Sequence, residues 1–454
     1  MLCPFFAAAQ DTTKVLTVRN IIIIGTKKTK NKVVEREMSL RRGDTLQLAN
    51  LMVRLHRDEQ LLMNLSLFNS VQTNVANWRN DSIDIKVVVD EALYIYPIPF
   101  IELADRNFET WWNQFKRDPA RLNYMIRGVH YNLTGSADRL TILLQVGYSQ
   151  KFAVSYRTPY LDKKGTLRGY VSGFYSRNRE TQADTRENKQ YFLQTDNEYA
   201  LQRMRATAEL SYKPNFNTEH FLTAIFFNNK ASDTLVRMNK DFFNGQKQQK
   251  YVEIDYRWRH DRRDVRPYAT RGYAAMAQAT FEGLGDAGAP NRFWVEALYK
   301  QYFSASPRTS FELVAKAHKT LWTARIPQYN NRLIGYDDDD YLRGYDKYVQ
   351  DGQDFMYFKS AVRYKFLERV NDLGKWSPRS FRMMPIRLYA TLSSDIGYVR
   401  DTQYGMGNYQ TNRWLWGGGP GIDIRVYFEN ILQFEYLFNQ FGEKGLFLRY
   451  KVAF

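Results

Sequence analysis

The dominant signal along the chain is an alternation of apolar and polar residues with period two, which sends successive side chains to opposite faces of an extended strand. Tyr251 to Arg259 shows it best. Val252, Ile254, Tyr256 and Trp258 share one face, and Glu253, Asp255, Arg257 and Arg259 share the other. Phe152, Val154 and Tyr156 alternate with Ala153, Ser155 and Arg157, and Leu446, Leu448, Tyr450, Val452 and Phe454 alternate with Arg449 and Lys451. Followed from Pro97 to the end, the pattern predicts 16 strands: 97–106, 121–133, 139–148, 151–160, 166–177, 198–213, 218–230, 248–262, 271–283, 293–305, 309–322, 355–368, 384–396, 414–428, 430–440 and 445–454.

An even number of strands closes antiparallel, strand 16 beside strand 1. An apolar outer face with a polar interior is what a barrel in lipid requires. Connection lengths give an independent check. Most connections from an even- to an odd-numbered strand are short: Thr134 to Asp138, Leu161 to Gly165, Pro214 to Asn217, Ser306 to Arg308 and Glu429. The intervening set holds the long polar segments 178–197, 231–247, 323–354 and 397–413. Short turns on one side and long loops on the other are the rule for outer-membrane barrels. The exception is 369–383, a long connection on the short side. The fold class expected is therefore membrane all-β, a 16-stranded antiparallel transmembrane β-barrel over 97–454.

Residues 15–91 read differently. Val15 to Gly25 predicts a strand and Asn31 to Leu40 a helix, closed by Arg42-Gly43-Asp44. Thr45 is placed to cap a second helix over Leu46 to Asn64, with apolar Leu48, Leu51, Met52, Leu55, Leu62 and Met63. Strands near Ser70 to Ala76 and Ser82 to Asp90 flank an Asn80-Asp81 turn, and Ile83, Ile85, Val87 and Val89 share one face. The expected order is β-α-α-β-β.

Composition sharpens this picture. The 454 residues include 32 Tyr, 29 Phe and 9 Trp, an aromatic excess suited to strands with interfacial rings. No run reaches the roughly 18–20 apolar residues of a membrane helix, and a closed barrel needs none. The stretch Leu2 to Ala9, ending Ala7-Ala8-Ala9, predicts the tail of a secretory signal peptide over 1–14. It holds the chain's single cysteine, Cys3, so the mature chain is expected to lack disulfides. The net charge of +17 is spread along strands rather than gathered on helices. It points to a polar lumen or anionic lipid headgroups, and not to nucleic acid. No phosphate-loop glycine pattern or zinc spacing is present, and the five histidines show no metal-like spacing. No cofactor or metal site is therefore expected.

Five motifs then stand out in order. They are Arg259-His260-Asp261-Arg262-Arg263-Asp264 with Pro267 and Arg271-Gly272-Tyr273; Gly335 followed by Leu342-Arg343-Gly344-Tyr345-Asp346; Ser394-Asp395-Ile396-Gly397-Tyr398-Val399; Gly417-Gly418-Gly419-Pro420-Gly421; and the last strand, ending at Phe454. Together they resemble the bacterial surface-antigen family, which includes the barrel subunit of the outer-membrane assembly machinery and the two-partner secretion transporters. VRNIIIIGTKKTKNKVVEREMSLRRGD and NLSLFNSVQ likewise resemble a POTRA domain. One such domain is fewer than either kind of relative usually carries, which suggests a specialised, short member.

The resemblance implies a lumen loop carrying Gly335, Arg343, Gly344 and Tyr345, its arginine held by acids on strands 12 and 13. Asp395 matches the strand-13 acid. Strand 12 departs from the pattern, because KSAVRYKF holds no acid near Ala361 to Arg363. Asp337 to Asp340 then offer a substitute charge balance. An arginine suits the role because its planar fork grips a carboxylate bidentately and stays charged. A mere plug is the plainer reading.

At the seam, Pro97 and Pro99 lie two apart, so their missing N–H groups face one neighbour. If that neighbour is strand 16, two ladder bonds are lost and the wall is weakest there; if it is strand 2, the argument does not hold. The function expected is assembly, insertion or translocation at a Gram-negative outer membrane, with the N-terminal domain in the periplasm. Unfolded outer-membrane or secreted proteins would be the clients, outer-membrane lipid the surroundings and accessory lipoproteins compatible partners. A passive pore or structural barrel is the alternative. An enzyme is disfavoured: His260 beside Asp261 is the best catalytic candidate, and no serine is placed to pair with it.

Overall fold

In the computed structural model, residues 14–65, 67–104, 110–195, 197–265, 268–337, 340–374, 383–426 and 430–452 are described. The expected leader with Cys3, and also Pro267, Asp338, Asp339 and Phe454, lie outside them. The chain divides into two compact units, one holding residues 1–98, 127–142 and 154–170, and the other the remainder.

The N-terminal elements are β1 (Val15–Ile24), α1 (Asn31–Glu37), β2 (Thr45–Gln47), α2 (Leu48–Met63), β3 (Phe68–Arg79) and β4 (Ser82–Glu91). The sheet order is β2-β1-β4-β3, with β1 parallel to β4 and the other pairs antiparallel. The reading missed β2 and gave Thr45 the wrong role. Thr45 pairs with Thr17 in β2, while Gln47 precedes α2 without a side-chain cap. Three residues are too few for a period to show. Ile83, Ile85, Val87 and Val89 are buried on one face against Leu51, Leu55 and Leu62 of α2. Met52 and Met63 face outward. The helix-to-helix turn is held by buried Asp58, which accepts from Ser39 N at 2.6 Å and Leu40 N at 3.2 Å.

The rest is strand after strand: β5 (Ile95–Leu103), β6 (Leu122–Tyr131), β7 (Arg139–Gly147), β8 (Ser149–Tyr160), β9 (Leu167–Asn178), β10 (Glu180–Arg186), β11 (Lys189–Gln194), β12 (Leu201–Asn215), β13 (Thr218–Ala231), α3 (Asp233–Met238), β14 (Gln248–Asp261), β15 (Gly272–Gly283), β16 (Arg292–Ser304) and β17 (Thr309–Thr323). They continue with β18 (Arg332–Ile334), β19 (Gln350–Asp351), β20 (Asp354–Asp372), β21 (Met383–Arg400), β22 (Trp414–Val426), β23 (Asn430–Asn439) and β24 (Lys444–Val452). Sixteen of these form one sheet in chain order, with β5 and β24 at its ends. β10–β11 and β18–β19 are small hairpins inside two of the long connections. The strands reach into the anomalous connection at 369–383: β20 and β21 stay paired as far as Asp372 and Met383, and residues 375–382 lie outside those described.

The sheet's polarity is inverted relative to a soluble protein. On β20, Tyr357, Lys359, Ala361 and Arg363 are buried, while Met356, Phe358, Val362 and Tyr364 are exposed. Leu392 on β21 is 60% exposed and its neighbour Ser393 is buried. In water this would leave a continuous apolar face uncovered. Lipid covers it at no such penalty.

Candidate functional site

The connection between β17 and β20 carries the run Leu342 to Asp346 onto the polar face of the sheet. One register row explains how. Lys359 on β20 pairs with Asp395 on β21, Asp395 with Gly417 on β22, and Gly417 with Asn439 on β23. Gly417 leaves a gap in that row. A Cβ there would lie 2.1 Å from the Arg343 carbonyl oxygen. On one side of the gap, Asp395 accepts from Arg343 N at 3.0 Å and Nη1 at 2.8 Å. On the other, Asn439 Nδ2 donates to Gly344 O at 2.8 Å. Gly344 has φ +83°, and a Cβ on it would meet Phe438 O at 2.8 Å, so this position needs glycine twice over. Leu342 and Tyr345 are 1% and 2% exposed. Leu342 packs where Gly397 has no side chain, and Tyr345 Oη donates to Trp416 O at 3.0 Å.

The charges form a chain. Arg343 Nε donates to Glu435 Oε1 on β23 at 3.0 Å. The second oxygen of Glu435 accepts from Arg449 on β24, and Arg449 also pairs with Asp346 of the loop. Two arginines therefore meet three carboxylates, and Lys359, the register partner of Asp395, is a third cation. Lys359 Nζ and the Arg449 guanidinium each stand 4.2 Å from the Tyr341 ring centroid. Burial opposes the charge on Arg343, but Asp395, Tyr341 and Glu312 together outweigh it, so the guanidinium is held more firmly protonated than in water.

The strand-12 acid missing from the sequence is thus replaced from the far side, by Glu435. Asp340 takes a different partner: it accepts from Lys316 Nζ at 2.6 Å and Tyr357 Oη at 2.9 Å. Gly335 (φ +86°) forms a turn ahead of the cluster, donating its N–H to Asp340 O at 2.6 Å. Pro97 and Pro99 lie on β5, the end strand opposite β24 in the sheet order. His260 Nδ1 is 2.9 Å from Thr218 Oγ1 and its ring stacks between Trp258 and Tyr273, while Asp261 ion-pairs with Arg263 at 2.8 Å. The pair makes no nucleophile–base arrangement. Among the described residues, no set of His, Cys, Asp or Glu side chains converges as metal ligands.

Sequence reasoning missed Glu435, Arg449, Asp346 and Lys359. It also missed Tyr268, which lies in the turn between β14 and β15. Buried Tyr268 donates to Asp423 Oδ2 at 2.6 Å and lies 4.2 Å beneath the Arg363 guanidinium. Glu435 and Arg449 did carry a signal, since both fall on the polar phase of their strands.

Residues 16–92 match the POTRA family, described as the surface antigen variable number repeat. Among solved structures, BamA from Haemophilus ducreyi lacking POTRA domains 1–3 superposes with a TM-score of 0.63 at 14% identity, over 96% of this chain and 85% of that one. The chain has the POTRA–barrel fold. CdiB from Escherichia coli gives 0.55 at 11% identity, over 97% of this chain and 77% of that one. CdiB from Acinetobacter baumannii gives 0.51 at 13% identity, over 97% and 74%. No curated protein matches the chain by sequence. The Arg343 cluster lies on the polar face of this sheet, opposite the exposed apolar face.

Proposed function

We propose that this POTRA–barrel protein assists the insertion or translocation of unfolded proteins at a Gram-negative outer membrane, with its POTRA domain in the periplasm and without covalent chemistry. The observation that supports this reading is the attachment of the lumen loop to three strands. Arg343 ties it to β21 through Asp395 and to β23 through Glu435, and Asp346 ties it to β24 through Arg449. A loop that only plugged the lumen would have no need to bind the end strand of the sheet. One that governs the end strand would control where the wall opens for a client strand. Arg343, Gly344 and Tyr345 are the working residues in this reading, Asp395 holds the loop, and the opening lies between β5, with Pro97 and Pro99, and β24, which leads to Phe454.

Two experiments test it in proteoliposomes, with an unfolded barrel protein as client and heat-dependent gel mobility reporting its folding. Arg343→Glu and Asp395→Arg should each lower client folding, and the double reversal should recover part of it. Additive losses would sink the pairing. Cysteines placed between Ile98 and Glu102 and between Tyr450 and Ala453 should cross-link on oxidation and stop client folding until reductant is added. Full activity with the seam closed rejects lateral opening in favour of a passive pore, which an open single-channel conductance would then identify.

A further inference from the structure

The unit that contains β1–β4 also contains the turn joining β8 to β9, and together they enclose a cavity of about 740 Å³. Six cations line it: Lys30, Lys32, Arg36, Arg41, Arg42 and Lys163. The lining acids are Glu35 and Asp162, so six cations against two acids leave four net positive charges. Asp162 is already engaged by its own turn, accepting from Thr166 N at 2.9 Å, Thr166 Oγ1 at 2.8 Å and Leu167 N at 2.8 Å.

The cations are only partly engaged. Lys30 Nζ donates to Ser136 Oγ at 2.9 Å, and Arg42 donates to Asn20 Oδ1. Arg36 donates through Nε to Glu37 at 3.1 Å and stands 4.6 Å from the Tyr160 ring centroid, but its Nη2 is buried with no hydrogen-bond partner among the described residues. A buried guanidinium nitrogen without an acceptor is costly. The opposite wall is apolar, from Pro159, Tyr160 and Leu161, where β8 ends.

We propose that this cavity binds a phosphate group, and that the phosphate it takes is that of a phospholipid headgroup. Guanidinium forks match the oxygens of a phosphate, and a mixed set of arginine and lysine can surround a tetrahedral anion. The volume falls in the range of about 300–1,000 Å³ usual for small-molecule sites, well beyond a bare phosphate. The apolar wall suits the glycerol and first methylenes of a lipid. The cavity stands at the end of β8, where a strand spanning the bilayer would leave it. An acidic polypeptide fits less well: extended carboxylates follow one another at about 3.3–3.6 Å per residue, whereas these cations converge on one cavity from separate segments. The inference rests on the barrel reading and not on the arginine loop, so Arg343→Glu should leave it untouched.

The test uses the full chain in dodecyl maltoside, titrated calorimetrically with dihexanoyl phosphatidylglycerol, inorganic phosphate and poly-glutamate. Saturable lipid binding is expected, displaced by inorganic phosphate at higher concentration and weakened by added salt. Arg36→Gln with Arg41→Gln should weaken it about tenfold or more, the equivalent of one charge-assisted hydrogen bond. Folding is checked by unchanged cold gel mobility. If that variant does not fold, Lys163→Gln, on the turn, carries the test with a smaller loss in the same direction. Inorganic phosphate binding as tightly as the lipid would keep the phosphate site and overturn the lipid source. Displacement by poly-glutamate but not by phosphate would overturn the proposal in favour of an acidic polypeptide. Wild-type lipid affinity in folded variants would overturn it outright.

Discussion

Glu435 is the residue on which the two arginines of the Arg343 cluster depend, and Glu435→Gln is the perturbation that isolates it. One carboxylate oxygen accepts from Arg343 Nε at 3.0 Å and the other from Arg449. A glutamine has one oxygen and one NH2. Whichever way its amide turns, one guanidinium meets a donor where it had an acceptor, in a place where Glu435 is 3% and Arg343 9% exposed. A charge-assisted hydrogen bond is worth about 1.5–3 kcal/mol, and a buried unsatisfied donor costs a further 1–3 kcal/mol. Breaking one partner out of a buried ion pair costs about 3–5 kcal/mol in measured cases, which agrees with that sum.

If the cluster sets the local opening of the loop, that energy appears as opening. Amide exchange over Leu342 to Asp346 should speed up by about 150-fold to several thousand-fold. The protein should be assayed in lipid vesicles. Asp81→Asn serves as the control, because its ion pair with Lys14 is exposed and worth about 1 kcal/mol at most. Glu435→Gln combined with Arg449→Gln should cost less than the two singles added, by about 1–3 kcal/mol. Loop exchange within threefold of wild type in Glu435→Gln would refute the argument, since it would mean the loop is held by its backbone contacts alone.

Three further outcomes are expected. Gly417→Ala should displace Leu342 to Asp346 and mimic loss of the loop, because its Cβ would sit 2.1 Å from Arg343 O; undisturbed loop exchange in the folded variant would count against the register-row account. Tyr268→Phe leaves Asp423 with Gln433 but without its 2.6 Å donor, and should cost about 1–3 kcal/mol in denaturant unfolding. Asp351, on the β18–β19 hairpin outside the spanning strands, is pushed by burial up to about 6 despite a hydrogen bond from Tyr336. Its folded form therefore keeps a proton that an open loop, near 4, would release, so the hairpin is most stable at low pH and loses that stability as pH rises through about 6. Exchange at the hairpin should be faster at pH 7 than at pH 4.5 after correction for intrinsic rates, and Asp351→Asn should flatten the difference.

The sixteen strands were legible because one rule applied to all of them. Each strand must face lipid on one side and a polar interior on the other, so its phase is written in its own residues. β14 shows this in Tyr251 to Arg259 without help from any neighbour. Elements whose place depends on a neighbour were not legible. β2 is three residues long and exists because Val15 to Thr17 of β1 offer it a partner. β10–β11 and β18–β19 lie in connections whose composition predicts only polarity. The connection at 369–383 was read too long at its β20 end, because β20 runs on to Asp372, past the point where apolar alternation fades. Backbone pairing continues there with Glu368 and Arg387 ion-paired at the sheet's edge.

The site was half legible for the same reason. Asp395 and Glu435 both stand on the polar phase of their strands, yet the period gives direction and not distance. It cannot say that β21 and β23 converge on one loop residue. The row through Gly417, the first of three glycines in the middle of β22, joins Asp395 on β21 to Asn439 on β23, with Glu435 four residues further along β23. Glycine weakens a strand by entropy and lost packing, so such a run signals a close backbone approach. Here the approaching atom is the carbonyl of Arg343, and the glycine gap fixes where the loop lands to within one residue. The inward acids of the two flanking strands, in that row or within four residues of it, then become the expected partners of any arginine the loop carries. That search from Gly417 reaches Asp395 in its own row on β21 and, four residues along β23 from Asn439, Glu435; on strand 12 no acid stands near Ala361 to Arg363, and the row instead holds the cation Lys359.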